Sequence, residues 1–388
     1  MFRRVVPLVF FVMVGLLGLV APAQAAVSSM PVTGRFPSFD APVYTIVHRG
    51  NVLYAGGQFT HVTAADGTVY RRLGAVAIDA STGSVLPWNP RVRGTVRAIL
   101  PVGDRVVIGG DFTAVKGTPR NNLVMVKRAG VGKVDKLFRF QADGAVLTLA
   151  GGGSKIYLGG SFERLGGRAR GHLAAIALGK QYRLTSWAPL AQDGGVSSIA
   201  VRRSGVYVAG GFEFLNGNHR FRKLALVRAS DGRLVTSFDP PITRRVIDMV
   251  VTKQRVYTAI GGPGGGHAVA SDRRSGATVW ARFVDGDAQA VTVLGGAVYF
   301  GGHFSRACAT HDSHGPAGCA DALEIRKRGA AYSRSGTLLD WNPDANSAWG
   351  VLALDALPGL KELAMGGEFT TINGGANAIP YLAVFGTP

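Results

Sequence analysis

Three arginines recur at a single spacing. Arg120, Arg170 and Arg220 stand 50 residues apart, each three residues after a glycine. If successive repeats present them from one loop position, their planar guanidinium forks form an arc that can pair with phosphate or carboxylate. Arg71, Arg244 and Arg245 fall in neighbouring loop segments. His219, His267 and His303 lie in the same kind of segment and would add charge as pH drops through about 6.5. These nine residues form the candidate ligand-binding face. The competing role for a repeated arginine is structural, donating to the carbonyls of its own repeat. Either way, 43 Lys plus Arg against 24 Asp plus Glu give a formal charge of +19. That balance favours an anionic polymer or an acidic protein surface as partner.

Other chemistry is sparse. No Gly-x-Ser-x-Gly, His-Glu-x-x-His or Walker motif occurs. No catalytic residue, cofactor or metal ligand is therefore assigned. The oxygen donors from Asp340 to Asn346 imitate a calcium loop, but the twelfth position, which should carry Glu, is Val351. The two cysteines, Cys308 and Cys319, bracket a stretch of ten residues. In an oxidising compartment they should form a disulfide closing that stretch, contributing about 3 kcal/mol in the chain-entropy model. Zinc held by the two thiolates with His303, His311 or His314 is the rival, at a spacing no standard site uses.

That compartment is read from the first 25 residues. Arg3 and Arg4 precede an apolar run from Val5 to Val20, and Ala23-Gln24-Ala25 offers a cleavage site before Ala26. The expectation is a signal peptide over 1–25 and a secreted, extracellular, monomeric chain over 26–388 with no membrane span. An uncleaved anchor is the alternative, since the run is nearly long enough to cross a bilayer.

The elements that must position the candidate face come from an internal repeat. A glycine doublet closing on Phe recurs at Gly56, Gly109, Gly159, Gly210, Gly301 and Gly366, with a degraded copy at Gly261-Gly262. Trp88, Phe138, Trp187, Phe238, Trp280 and Trp341 mark the end of successive units, and a Val such as Val96, Val146 or Val196 opens the next. Each unit reads as four short strands, so the array predicts an all-β, seven-bladed β-propeller with four-stranded blades as one domain. The last unit lacks its fourth strand. Residues 35–41 look like the segment around Phe238, so an N-terminal strand is expected to close the last blade and cover its edge. The doublets are read as close backbone approach with positive φ at the strand end.

The unit Lys155-Ile156-Tyr157-Leu158-Gly159-Gly160, followed by Trp187, resembles a kelch-type repeat. The fuller pattern has Gly-Gly-x-Phe, a Gly- and Arg-bearing loop (Gly117 to Arg120), a Leu-Ala strand and Trp-Asn-Pro. It is similar to the delta-60 repeat propellers of secreted, mainly actinobacterial, proteins. The resemblance spans the chain after residue 25. It implies a propeller and brings no assigned activity with it. Some kelch-type propellers are copper oxidases built on a Cys–Tyr cross-link and two His, and no residues here map onto that site. The functional expectation is a non-catalytic, secreted binding module for an anionic cell-envelope or extracellular polymer. The alternatives are an extracellular enzyme with its site at the channel mouth and a protein-interaction scaffold. Nucleic acid is disfavoured because no recognition fold is legible.

Overall fold

The computed structural model describes residues 26–309, 319 and 323–387; the expected signal peptide and His311 and His314 lie outside the described residues. Every helix or strand assigned among these is a strand, and no helix long and apolar enough to cross a membrane is present among them. Seven units repeat one antiparallel order. The inner strands are Val43–Arg49, Val92–Val102, Val146–Gly152, Val196–Arg202, Val246–Val251, Ala288–Leu294 and Val351–Leu357. Each pairs with a second strand ending at the doublet position, and that strand pairs with a third. An outer strand follows in unit three, Arg183–Leu184, and in unit five, Thr278–Val284; elsewhere a single bridge marks its place, as between Ile78 and Val85 or Tyr332 and Leu338. Each inner strand packs on the inner strand of the next unit, and that of unit seven packs on that of unit one.

The doublets show why so much glycine is needed. A Cβ on Gly159 would stand 2.6 Å from Cγ1 of Val196, the residue that opens the next unit; on Gly160 it would stand 2.0 Å from the Ala145 carbonyl oxygen. The first glycine thus admits the neighbouring unit and the second admits its own inner strand. The expected positive φ is not found at these glycines, apart from Gly262 of the degraded copy, at 139°. The left-handed residue lies instead just before the third strand, at Gly74, Asn122, His172, Lys223, Arg328 and Tyr381, with φ between 62° and 70°. The chain needs that kink to turn from the loop into the buried third strand, and five of the six copies bear it with a side chain.

Between units, aromatic groups carry the seam. The indole N–H groups of Trp88, Trp187 and Trp280 donate to the carbonyls of Lys127, Arg228 and Arg334 in the following unit, at 2.9 to 3.0 Å. Tyr157 and Tyr207 hydroxyls donate to the carbonyls of Ala229 and Arg273. At unit seven the turn that would supply such a carbonyl is replaced by the N-terminal segment. There the backbone N–H groups of Ala26 and Val27 donate to the Tyr299 hydroxyl, and the Trp341 indole nitrogen is buried without a partner.

The segment expected to finish unit seven needs correction. Residues 35–41 do not pair with its third strand, Leu382–Phe385. Ser38–Phe39 pairs with His61–Thr63 of unit one. Pro31 bridges Phe385 instead, and the N–H groups of Val32 and Ser28 donate to the carbonyls of Val384 and Gly386 at 2.7 Å. Pro31 thus sits where Val134 and Leu234 sit in other units, four residues ahead of the mark position. The sequence likeness tracked the connection that follows the outer strand.

Candidate functional site

The array has two ends. At one, the loops after the doublets form hairpins, each hooked to the connection that enters its unit, as Ala191–Gln192 pairs with Phe214–Leu215 and Val284 with Ala307. Unit five has no such hairpin, because only Gly261 to Gly265 join its second and third strands. At the other end lie the tight turns joining inner to second strand and third to outer strand.

The expected arginine arc belongs to the hairpin end, where the structure places its members in different settings. Arg170 donates to the carbonyls of Ala169 at 2.7 Å and Thr185 at 2.9 Å. Arg72 and Arg326 repeat this brace, each reaching the preceding carbonyl and that of Leu86 or Leu339 on the outer strand. Arg120 occupies the same position but reaches only the Pro119 carbonyl. Arg220 is not equivalent. Unit four has one more residue before its third strand, so buried Phe221 takes the bracing position and Arg220 pairs with Asp239 at 2.6 and 2.9 Å. The three arginines are therefore not three copies of one exposed contact. Desolvation, with a smaller effect from Arg168, pushes the Arg170 pKa down.

The other expected residues scatter. Arg71 is exposed at the end of a hairpin strand. Arg244 donates to the Pro263 carbonyl across the low fifth unit. Arg245 is exposed at the mouth of the central channel. His219 stacks on Phe214 with ring centroids 3.8 Å apart. His267 lies in the third strand of unit five rather than in a loop, edge-on to Phe283. His303 is half-buried, its Nδ1 without a partner. Cys308 and Cys319 are bonded to each other with Cα atoms 5.7 Å apart. Among the described residues no group of three or more His, Cys, Asp or Glu side chains is placed to share a metal ion.

The turn end carries a second cationic surface that the loop count missed. Three adjacent clefts run across units three to six, lined in turn by Lys155, Arg202 and Arg203; by Arg202, Arg203, Lys253 and Arg273; and by Lys253, Arg255 and Arg334. Arg203, Lys253, Arg274 and Arg334 are exposed. The acids at this end are already engaged. Asp79 accepts from its own turn, which holds its carboxyl down to about 2, chiefly through the Ser81 hydroxyl. Asp135 takes Arg105, Asp231 takes Arg228, and Asp272 caps its own turn. Arg202 is braced as Arg170 is, donating to the carbonyls of Val201 and Val251, and burial of its guanidinium lowers its pKa, with Arg273 pushing the same way. Arg255 pairs with Asp272 at 3.5 Å, while no described ion pair involves Arg203 or Lys253; crowding of like charge is what an anion-binding surface looks like before its anion arrives. The signal was present in the sequence: Arg203 and Lys253 are themselves 50 residues apart, in turns too short to stand out as loops.

Two carboxylates lie deep among the inner strands. Asp248 accepts from the Ser198 hydroxyl at 3.1 Å and the Val291 backbone N–H at 3.0 Å. Asp355 accepts both the backbone N–H and ring Nδ1 of His48, at 2.7 and 2.8 Å. Burial pushes both carboxyls up, and the Asp355 hydrogen bond raises the His48 imidazole. Each binds an inner-strand N–H of the next unit. Their first effect is to tie units five to six and seven to one.

No protein-family model matches the chain, and no curated protein matches it. Solved structures do. It is similar to the WD40 β-propeller domain of Doa1, with a TM-score of 0.54 and 10% identity over 92% of this chain and 97% of that one. The computationally designed Ika8 protein gives 0.50 and 11% over 90% and 98%. BamB from Moraxella catarrhalis gives 0.50 and 13% over 92% and 99%. At these identities the likeness is one of fold: the chain is an all-β protein with a β-propeller fold.

Proposed function

We propose that this chain is a secreted, non-catalytic β-propeller of the delta-60 repeat kind that binds an anionic polymer through its turn end. Residues 26–388 form one domain of seven blades, closed where the strand around Pro31 completes the last. The cyclic packing of the inner strands and the bridge from Pro31 to Phe385 support the closure. Export is supported by the basic and apolar pattern of residues 3–25 and by the disulfide.

One observation carries the binding proposal: the run of cation-lined clefts from Lys155 to Arg334, without acidic partners for Arg203 or Lys253 among the described ion pairs. The aromatic rings there, Tyr157 and Tyr257, are buried. The surface therefore offers charge without stacking platforms, which suits the backbone charges of a polymer rather than nucleic-acid bases. Exposed contacts of this kind are individually weak and useful in sum.

Immobilised inorganic polyphosphate and neutral dextran test it at low and moderate salt. Replacing Arg203, Lys253 and Arg274 together by Ala should weaken polyphosphate retention about tenfold at low salt, with the gap shrinking as salt rises. Replacing Arg120, Arg170 and Arg220 by Ala should change retention less than about twofold where the variant folds. Equal retention of the parent and the turn-end variant at every salt concentration would refute the proposal.

A further inference from the structure

All seven inner strands carry a β-bulge at one position, with the register shifting between Val43 and Thr45, Val96 and Ala98, and likewise through Val351 and Ala353. A bulge re-aims the extra residue, and here the seven bulged residues all line the central channel. They are Tyr44, Arg97, Leu147, Ser197, Ile247, Gln289 and Leu352. The positions around them repeat, as the glycine doublets and opening valines do, because packing between units dictates them. The bulged position runs through aromatic, cationic, aliphatic, hydroxyl and amide side chains, whereas the residue two further on is apolar in every unit, as at Ile46, Ile99 and Leu354. Packing therefore does not choose these residues.

The channel is also graded along its axis. At the mouth, the Arg97 guanidinium lies over the Tyr44 ring, 4.1 Å from its centroid, and Arg245 stands exposed. Neither arginine has an ion-pair partner among the described residues. Gln289 holds the same bulge position as Arg97 in its own strand, and its Oε1 is buried without a hydrogen-bond donor; Asp248 lies one residue past that position. Deeper, the wall turns apolar with Ile46, Ile99, Met249 and Leu354. The cavity holds about 480 Å³, within the range of small-molecule sites. The missing hairpin of unit five leaves the rim low beside Arg245.

We infer that the central channel is a second site, separate from the polymer-binding end, that takes a small amphiphilic carboxylate. Its anionic head pairs with Arg97 and Arg245 at the mouth, a hydrogen-bond donor beside the head meets Gln289, and its apolar tail enters the Ile46–Ile99–Leu354 floor. Two guanidiniums fit a carboxylate bidentately, and the apolar floor supplies the burial that a charged head alone does not.

N-octanoylglycine carries all three features and serves as the probe, measured by isothermal titration calorimetry on residues 26–388. Saturable one-to-one binding is expected. The primary amide of the probe, with the charge removed, should bind at least tenfold more weakly. Replacing Arg97 and Arg245 together by Ala should cost at least tenfold, and Leu352→Trp, which fills the channel from a half-buried lining position, should do the same. The turn-end variant lacking Arg203, Lys253 and Arg274 should bind like the parent. No saturable binding at millimolar probe would overturn the inference, as would equal affinity for the acid and the amide or binding untouched by both channel variants. Thermal unfolding of each variant separates loss of the site from loss of the fold.

Discussion

Gly210→Ala is expected to destabilise the protein by about 3 kcal/mol or more, while Gly211→Ala beside it costs less than about 0.5 kcal/mol. The two glycines are chain neighbours and neither has a positive φ. A Cβ at Gly210 would lie 2.2 Å from the Gly195 carbonyl oxygen and 2.9 Å from the Val196 Cα, both backbone atoms of the inner strand. The inner strand can yield only by moving away from the second strand, which breaks the pairing from Val196 to Arg202. A Cβ at Gly211 meets nothing within 4 Å, and Ala restricts the unfolded chain more than Gly does. Denaturant titration of both variants reads the difference. Gly210 holds the position of Gly160 and Gly211 lies one residue past it, so similar losses at the two would show that this position is not set by close approach of the inner strand.

A larger effect is expected at the chain's beginning. Purified protein starting at Thr33 rather than Ala26 lacks the Pro31 bridge to Phe385 and the bonds from Ser28 and Val32 to the last strand. It also lacks the N–H donors that reach the Tyr299 hydroxyl. Leu382–Phe385 then becomes an open strand edge, a template for pairing with another chain. The shortened protein should lose its single cooperative unfolding transition and self-associate at micromolar concentration, whereas the chain starting at Ala26 stays monomeric. Identical melting and identical hydrodynamic size for the two would refute the closure at Pro31.

The unit repeat was legible because packing writes it. Gly159, Gly160 and Val196 are locked together across a unit boundary, so their types recur at most such boundaries; Ala209 in unit four, Ala259 with Ile260 in unit five and Ala288 in unit six depart. Three antiparallel strands per unit, with a place for a fourth, followed from the same marks. The closing strand was misplaced because Phe36 and Phe39 imitate the Phe238 segment, whereas the pairing is backbone to backbone at Pro31 and leaves little trace in side-chain type. The arginine arc misled for a related reason. Counting 50 residues from Gly167 to Gly217 keeps the loops in step, but the single added residue ahead of Leu224 puts Arg220 out of register with Arg170. Aligning on the third strand would have shown Phe221 in the bracing position. The cationic clefts escaped notice because their residues sit in or beside short turns of different units. Only the fold brings Lys155, Arg203 and Lys253 to one end.

Hydrogen exchange with and without saturating polyphosphate tests the central claim most directly, because it reads which end of the propeller the polymer covers. Protection should appear in the turns at 152–155, 202–205, 252–255 and 272–275, where the lining cations lie. The hairpins at 116–120, 166–170 and 216–220 should exchange as in the free protein. Protection of those hairpins with unchanged exchange at the four turns would contradict the account and return the binding face to the opposite end.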